Sequence, residues 1–128
     1  AQDRASSLVA AARKAGADAA DALYVGSAAT QVSVRLGALE DVERSEGEEI
    51  GLRVFVGSRS ATVSASDMNP ATLKTLIERG IAMAREAPED PYAGLAPEDK
   101  LLRKRPPSLD LEDDEEPGPE ALRERALA

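Results

Sequence analysis

Apolar positions along this chain recur with two different periods. Between Asp3 and Ala15, the residues Ala5, Leu8, Val9, Ala12 and Ala15 mark one face at three- and four-residue spacing, with Arg4, Arg13 and Lys14 largely away from it. That spacing predicts a helix, and Gly16 offers its stop. From Asp18 to Leu36 the period falls to two, with Leu23 and Val25 on one parity and Val32, Val34 and Leu36 on the other. Parity changes across the small residues from Gly26 to Thr30, which fits either one long bent strand with a bulge or two short strands around a loop.

The stretch from Gly37 to Asp67 reads as three further extended segments separated by two tight reversals. Leu39 to Ser45 carries Val42 among charges, and Glu46-Gly47-Glu48-Glu49 supplies a polar, glycine-bearing break before Ile50. Leu52, Val54 and Val56 then share one face while Arg53 and Phe55 take the other, the pattern of a half-buried strand. Gly57 and Ser58 turn the chain, and Arg59 to Ser66 alternates again, with Ala61, Val63 and Ala65 opposing Ser60, Thr62, Ser64 and Ser66. The expectation is an antiparallel meander with one wet face.

A second helix begins after Ser66. Asn69 can cap it, Pro70 suits its first position, and Leu73, Leu76, Ile77, Gly80, Ile81 and Ala84 form an apolar stripe that ends at Ala87-Pro88. Gly80 on that stripe permits close approach to the sheet, at a cost of roughly 1 kcal/mol in helix propensity relative to Ala. Periodicity is lost from Pro88 to Pro119, which holds seven prolines, a basic cluster from Lys100 to Arg105 and an acidic run from Glu112 to Glu116. Pro119 to Leu127 returns to a helical pattern through Ala121, Leu122 and Ala126. The fold class expected is α+β: a helix, an antiparallel sheet of about four strands, a long helix across one sheet face, then an extended connector and a short terminal helix. Residues 1–95 are expected to form an α+β domain and 96–128 a Pro-rich, charged connector with a terminal helix, the whole chain being the N-terminal piece of a longer polypeptide; the plainer reading of the last helix is a short, frayed end.

Composition narrows the chemistry. The chain has 128 residues, 16 basic and 24 acidic, for a net charge of −8, which repels phosphate backbones and anionic lipid headgroups. It contains no cysteine and no histidine. Disulfides, thiol nucleophiles, the usual zinc ligands and Ser-His or Cys-His pairs are thereby removed. No apolar run is long enough to span a bilayer and no leader pattern precedes the first helix, so the expected location is cytoplasmic, with no membrane partner and no nucleic acid.

Several groups of side chains are candidate sites. Glu40, Asp41, Glu43, Glu46, Glu48 and Glu49 crowd one strand and its turn. Acid/base work needs one carboxyl buried enough for its pKa to rise, and an exposed hairpin reads instead as a solvated face. Asp110, Asp113, Asp114, Glu115 and Glu116 lack the EF-hand spacing and read as an acidic linker. Gly47, Gly51 and Gly57 lie in and around strands and open no helix, so they cradle no phosphate. Arg103-Lys104-Arg105 has no interleaved aromatics and makes a poor nucleic-acid site, though it suits an acidic partner or the chain's own acidic run. The Ser- and Thr-rich segment Arg59 to Ser66 is a candidate edge for β-addition, its plainer reading being an ordinary hairpin strand. No catalytic, cofactor-binding or metal-ligating residue is assigned.

The segment VERSEGEEIGLRVFVGSRSATVSASD, Val42 to Asp67, followed by the helix Pro70 to Ala87 and the run APEDPYAGL from Ala87 to Leu95, resembles the N-terminal domain of the PmbA/TldD family, also called modulator of DNA gyrase. GLRVFVG, ATVSASD and APEDPYAGL look more like its PmbA (TldE) branch than its TldD branch. The resemblance implies a non-catalytic domain in one subunit of a cytoplasmic, two-component zinc metalloprotease that processes flexible peptides of the toxin or antitoxin type. In that family the HExxxH helix and a further cysteine belong to the C-terminal domain of the TldD subunit, and neither motif stands in this sequence. The implied partners are a TldD-like subunit and peptide substrates, with zinc held by that subunit and no cofactor in this chain. The gyrase name then reflects peptide processing and not DNA binding. The competing class is a non-enzymatic interaction module that binds a partner through its sheet edge. An open edge would also let the isolated fragment pair with a second copy as a homodimer.

Overall fold

The computed structural model describes residues 2–104, 107–111, 113 and 115–128. Its elements run α1 (Gln2–Lys14), β1 (Ala19–Arg35), β2 (Ala38–Val56), β3 (Arg59–Ala65), α2 (Pro70–Glu86), a single 3-10 turn (Glu98–Lys100) and α3 (Pro119–Leu127). The fold is α+β. The three strands form one antiparallel sheet in the order β1-β2-β3.

The segment from Asp18 to Leu36 forms one long strand, β1, the first of its two readings. One expectation is corrected: the two strands expected on either side of Glu46–Glu49 are one 19-residue strand, β2. Among the described residues the sheet therefore has three strands where about four were expected. Glu-Gly-Glu-Glu is turn chemistry only if nothing competes for its backbone, and here the neighbouring strand takes those groups into a ladder. What sets that ladder is the two-residue turn at Leu36 and Gly37, both with positive φ, at 51° and 75°. The second turn, Gly57-Ser58, has positive φ only at Gly57, the pattern of a type II′ hairpin, and fixes Val56 opposite Arg59 and Ile50 opposite Ala65.

The chain divides into two compact units: Ala1–Gly26 with Gly47–Asp99, and Ser27–Glu46 with Lys100–Ala128. The first unit holds the hydrophobic core. Leu8 and Ala12 from α1, Ala20 from β1, Ile50, Leu52 and Val54 from β2, Val63 from β3, and Leu76, Ile77, Ile81 and Ala84 from α2 are all buried together. Alternation along β2 and β3 points Leu52, Val54 and Val63 to the same side, where α2 lies across them. The opposite face is not uniformly wet, because Phe55 is also buried there, with the Arg53 guanidinium 5.2 Å from its ring centre. Arg53 is held in place by both oxygens of Asp21.

Both ends of α2 are fastened, the first as its sequence suggests. The Asn69 side chain accepts a hydrogen bond from the Ala71 amide at 3.0 Å, and Pro70 occupies the first turn, where its missing N–H costs nothing. Asp67 accepts from the Asn69 amide and the Thr72 hydroxyl, which together hold its carboxyl below the usual range, the hydroxyl more strongly. At the other end, Arg59 of β3 donates to the Arg85 carbonyl at 2.6 Å, satisfying one of the carbonyls left open in the last turn.

In the second unit, the turn end of the β1–β2 hairpin carries ion pairs between Arg35 and Glu40 at 3.3 Å and between Arg44 and Glu46 at 2.9 Å. α3 buries no residue fully; Ala121, Leu122 and Arg123 are half-buried. Among the described residues, no helix is long and apolar enough to cross a membrane.

Candidate functional site

A groove of about 580 Å³ lies between α1 and α2 in the first unit. Its apolar lining comes from Leu8 and Ala11 of α1, Ile50 of β2, Leu73 and Ile77 of α2, and Met68. Asp3, Arg4, Lys74 and Glu78 stand along its rim. Ser7 also faces it, but the chain contains no histidine or cysteine to activate a hydroxyl or replace it as nucleophile. Chemically this is a surface that suits an apolar side chain between charged margins.

One carboxylate beside the groove is organised. Glu48 Oε2 accepts a hydrogen bond from the Tyr24 hydroxyl at 2.6 Å and from Arg4 Nη1 at 2.7 Å, while the Arg4 guanidinium lies 5.7 Å from the Tyr24 ring centre. The Tyr24 bond, assisted by the Arg4 charge, holds the Glu48 carboxyl below its ordinary value. The same bond pushes the Tyr24 phenol up. An acid catalyst needs the reverse shift, so this trio is a cross-link of α1, β1 and β2. Sequence reasoning does not separate Glu48 from its neighbouring carboxylates, because its partners stand 44 and 24 positions away in the chain.

The other candidates do not converge. Glu40, Asp41, Glu43, Glu46 and Glu49 are exposed along β2. Asp113 accepts from the Glu115 amide at 3.1 Å, and Glu115 faces Arg125 at 3.8 Å. Asp110 and Glu116 are exposed; Glu112 and Asp114 lie outside the described residues. Among the described residues, no three carboxylates gather where one ion would hold them. With no His or Cys in the sequence, the donor set does not fit a zinc site. Arg103 and Lys104 are exposed, and Arg105 lies outside the described residues. Gly51 and Gly57 serve the strand and the hairpin turn. β3 is an outer strand of the sheet, so the segment from Arg59 to Ala65 lies along one of its edges.

The family model for PmbA/TldA metallopeptidase domain 1 matches residues 20–84. Two curated relatives are the metalloprotease PmbA homolog of Haemophilus influenzae, 34% identical over 100 residues, and metalloprotease PmbA of Escherichia coli O157:H7, 30% identical over 94 residues. These alignments cover 78% and 73% of this chain but only 22% and 21% of the relatives, so the chain spans about a fifth of their length. A crystal structure described as a modulator of DNA gyrase, from Bacteroides thetaiotaomicron, superposes with a TM-score of 0.78 at 25% identity, over 88% of this chain and 25% of that one. TldE from Thermococcus kodakarensis superposes with a TM-score of 0.65 at 21% identity, over 81% of this chain and 23% of that one, a likeness of fold alone. The matched span runs from the buried Ala20 of β1 to the buried Ala84 of α2, taking in the whole β2–β3 hairpin and the Gly80 contact, and the chain belongs to the PmbA/TldA metallopeptidase domain 1 family.

Proposed function

We propose that this chain is the non-catalytic N-terminal domain of a PmbA/TldE-like subunit in a cytoplasmic, two-component zinc metalloprotease acting on flexible peptides. The observation that carries the reading is a domain-1 match coupled with a sequence that has no histidine or cysteine. On this reading zinc and its chemistry belong to a TldD-like partner. This chain contributes surface: it contacts the partner and helps to enclose the space in which peptides are cut, with residues 96–128 leading toward the rest of the subunit. The net charge of −8 favours a protein or peptide partner over nucleic acid.

The test is cleavage of an unstructured peptide by the full-length subunit alone, by a TldD-like partner alone, and by the two mixed with zinc. Activity in the mixture only, abolished by a chelator, is the expected result. A mixture no more active than the partner alone, from chains that do not co-purify, overturns the reading in favour of an interaction module.

A further inference from the structure

The long strand β2 is covered on its outer side for only part of its length. β3 pairs with Ile50 through Val56 and ends at Ala65. Among the described residues, no strand or bridge lies on that side of Ala38 to Glu46. Every residue of this segment is exposed, including the apolar Leu39 at 46% and Val42 at 43%. A strand edge left open presents a row of unpaired amide and carbonyl groups, the template onto which an extended segment adds.

The side chains on the segment specify what would add. Alternation sets Leu39, Asp41 and Glu43 on one face and Glu40, Val42, Arg44 and Glu46 on the other. On the second face the charges are already matched within the chain: Glu40 by Arg35, and Arg44 by Glu46 through Nε at 3.0 Å and Nη2 at 2.9 Å. On the first face, the side chains of Asp41 and Glu43 make no hydrogen bond or ion pair with any described residue. Two carboxylates therefore stand one residue apart on one side of an open edge. A strand laid along it meets them with its own alternate side chains, and opposite-charge pairs across strands are the favourable ones.

We propose that the outer edge of β2 from Ala38 to Glu46 is a docking site for an extended segment of another protein that carries Lys or Arg at two positions separated by one residue, opposite Asp41 and Glu43. A second copy of this chain is the wrong occupant. It brings the same net negative segment, and in the two-fold antiparallel register centred on Val42 it sets Asp41 directly across from Glu43. Apolar contacts to Leu39 complete the same face. The inference does not depend on the protease reading, since it concerns only the edge and its charges.

The experiment measures binding of dye-labelled, end-capped ten-residue peptides to the full chain by fluorescence anisotropy. One peptide alternates Lys with Thr and Val; a second has Glu for each Lys; a third is the Lys peptide N-methylated at alternate amides, which keeps its charge but cannot join a ladder. The Lys peptide is expected to bind at least tenfold tighter than either of the others. In the double variant D41K/E43K the preference is expected to pass to the Glu peptide, a gain that misfolding cannot produce. The variant E86K/E124K, with the same change of net charge elsewhere, is expected to keep the original order. Equal binding of the N-methylated peptide, or equal loss in E86K/E124K, reduces the effect to general attraction toward an acidic protein and overturns the proposal. No binding of any peptide overturns it as well, leaving the carboxylates as protection of an exposed edge against self-association.

Discussion

A β-carbon built on Gly80 of α2 lies 3.2 Å from Cγ2 of Val63 on β3, and 3.5 Å from Cγ2 of Val54 on β2. The helix thus rests on the sheet at the one residue of its stripe without a side chain. Val63 and Val54 are β-branched and stiff at χ1, so neither yields easily. Replacing Gly80 with Leu is expected to destabilise the protein by about 1–3 kcal/mol through overpacking. Gly80→Ala sets the helix-propensity gain against this tight contact and is expected to stay within about 1 kcal/mol of the parent. Combining Gly80→Leu with Val63→Ala is expected to cost less than the sum of the single changes, because the cavity receives the added side chain. Urea unfolding of the four variants checks this.

Capping gives a second expectation. Asn69→Ala removes the acceptor for the Ala71 amide and is expected to cost about 1 kcal/mol. Asn69→Asp, which keeps an oxygen in place and adds negative charge near the helix N-terminus, is expected to restore most of it. Thermal unfolding followed by far-UV circular dichroism distinguishes the pair.

The Arg4–Glu48–Tyr24 trio makes stability depend on acid in a definite direction. The folded-state pKa of Glu48 is depressed, so the native protein binds fewer protons than the unfolded chain just below the ordinary value of 4.5. Its contribution is present above that value and is lost as pH falls through the depressed one. Glu48→Gln is expected to flatten the pH dependence of stability in this acid window, and Tyr24→Phe to do so in part, since the tyrosine bond is the larger cause. Unfolding free energies measured at intervals from neutral pH down to about pH 3 test the slope; an unchanged slope in Glu48→Gln would rule the trio out.

Leu36 carries the opposite kind of expectation. It sits at the first position of the β1–β2 turn with φ of 51°, and its side chain is 99% exposed. A leucine there holds a backbone conformation that favours Asn or Gly and gains no burial in return. Leu36→Asn is expected to raise stability by about 0.5–1 kcal/mol, measured by chemical denaturation.

The legible parts of this protein are those decided by neighbours in sequence. The three- and four-residue spacing of Leu73, Leu76, Ile77, Ile81 and Ala84, with Asn69 and Pro70 before it, specifies α2, because cap and stripe lie within its own turns. Gly57-Ser58 between two alternating runs specifies the β2–β3 hairpin for the same reason. The composition, with neither His nor Cys, removes most metal and nucleophile chemistry from this chain without reference to a fold. Other features only the tertiary structure decided. Glu46 to Glu49 became strand because a neighbouring strand claimed its backbone, a long-range event that outweighs turn propensity. Phe55 is buried on the face that alternation marks as wet, beneath a guanidinium that Asp21 holds from 32 residues away. Glu48 was singled out among six carboxylates by Arg4 and Tyr24, and the open edge of β2 exists because β3 stops at Ala65. Local spacing determines which residues share a face; which faces and edges then meet depends on contacts between segments far apart in the chain.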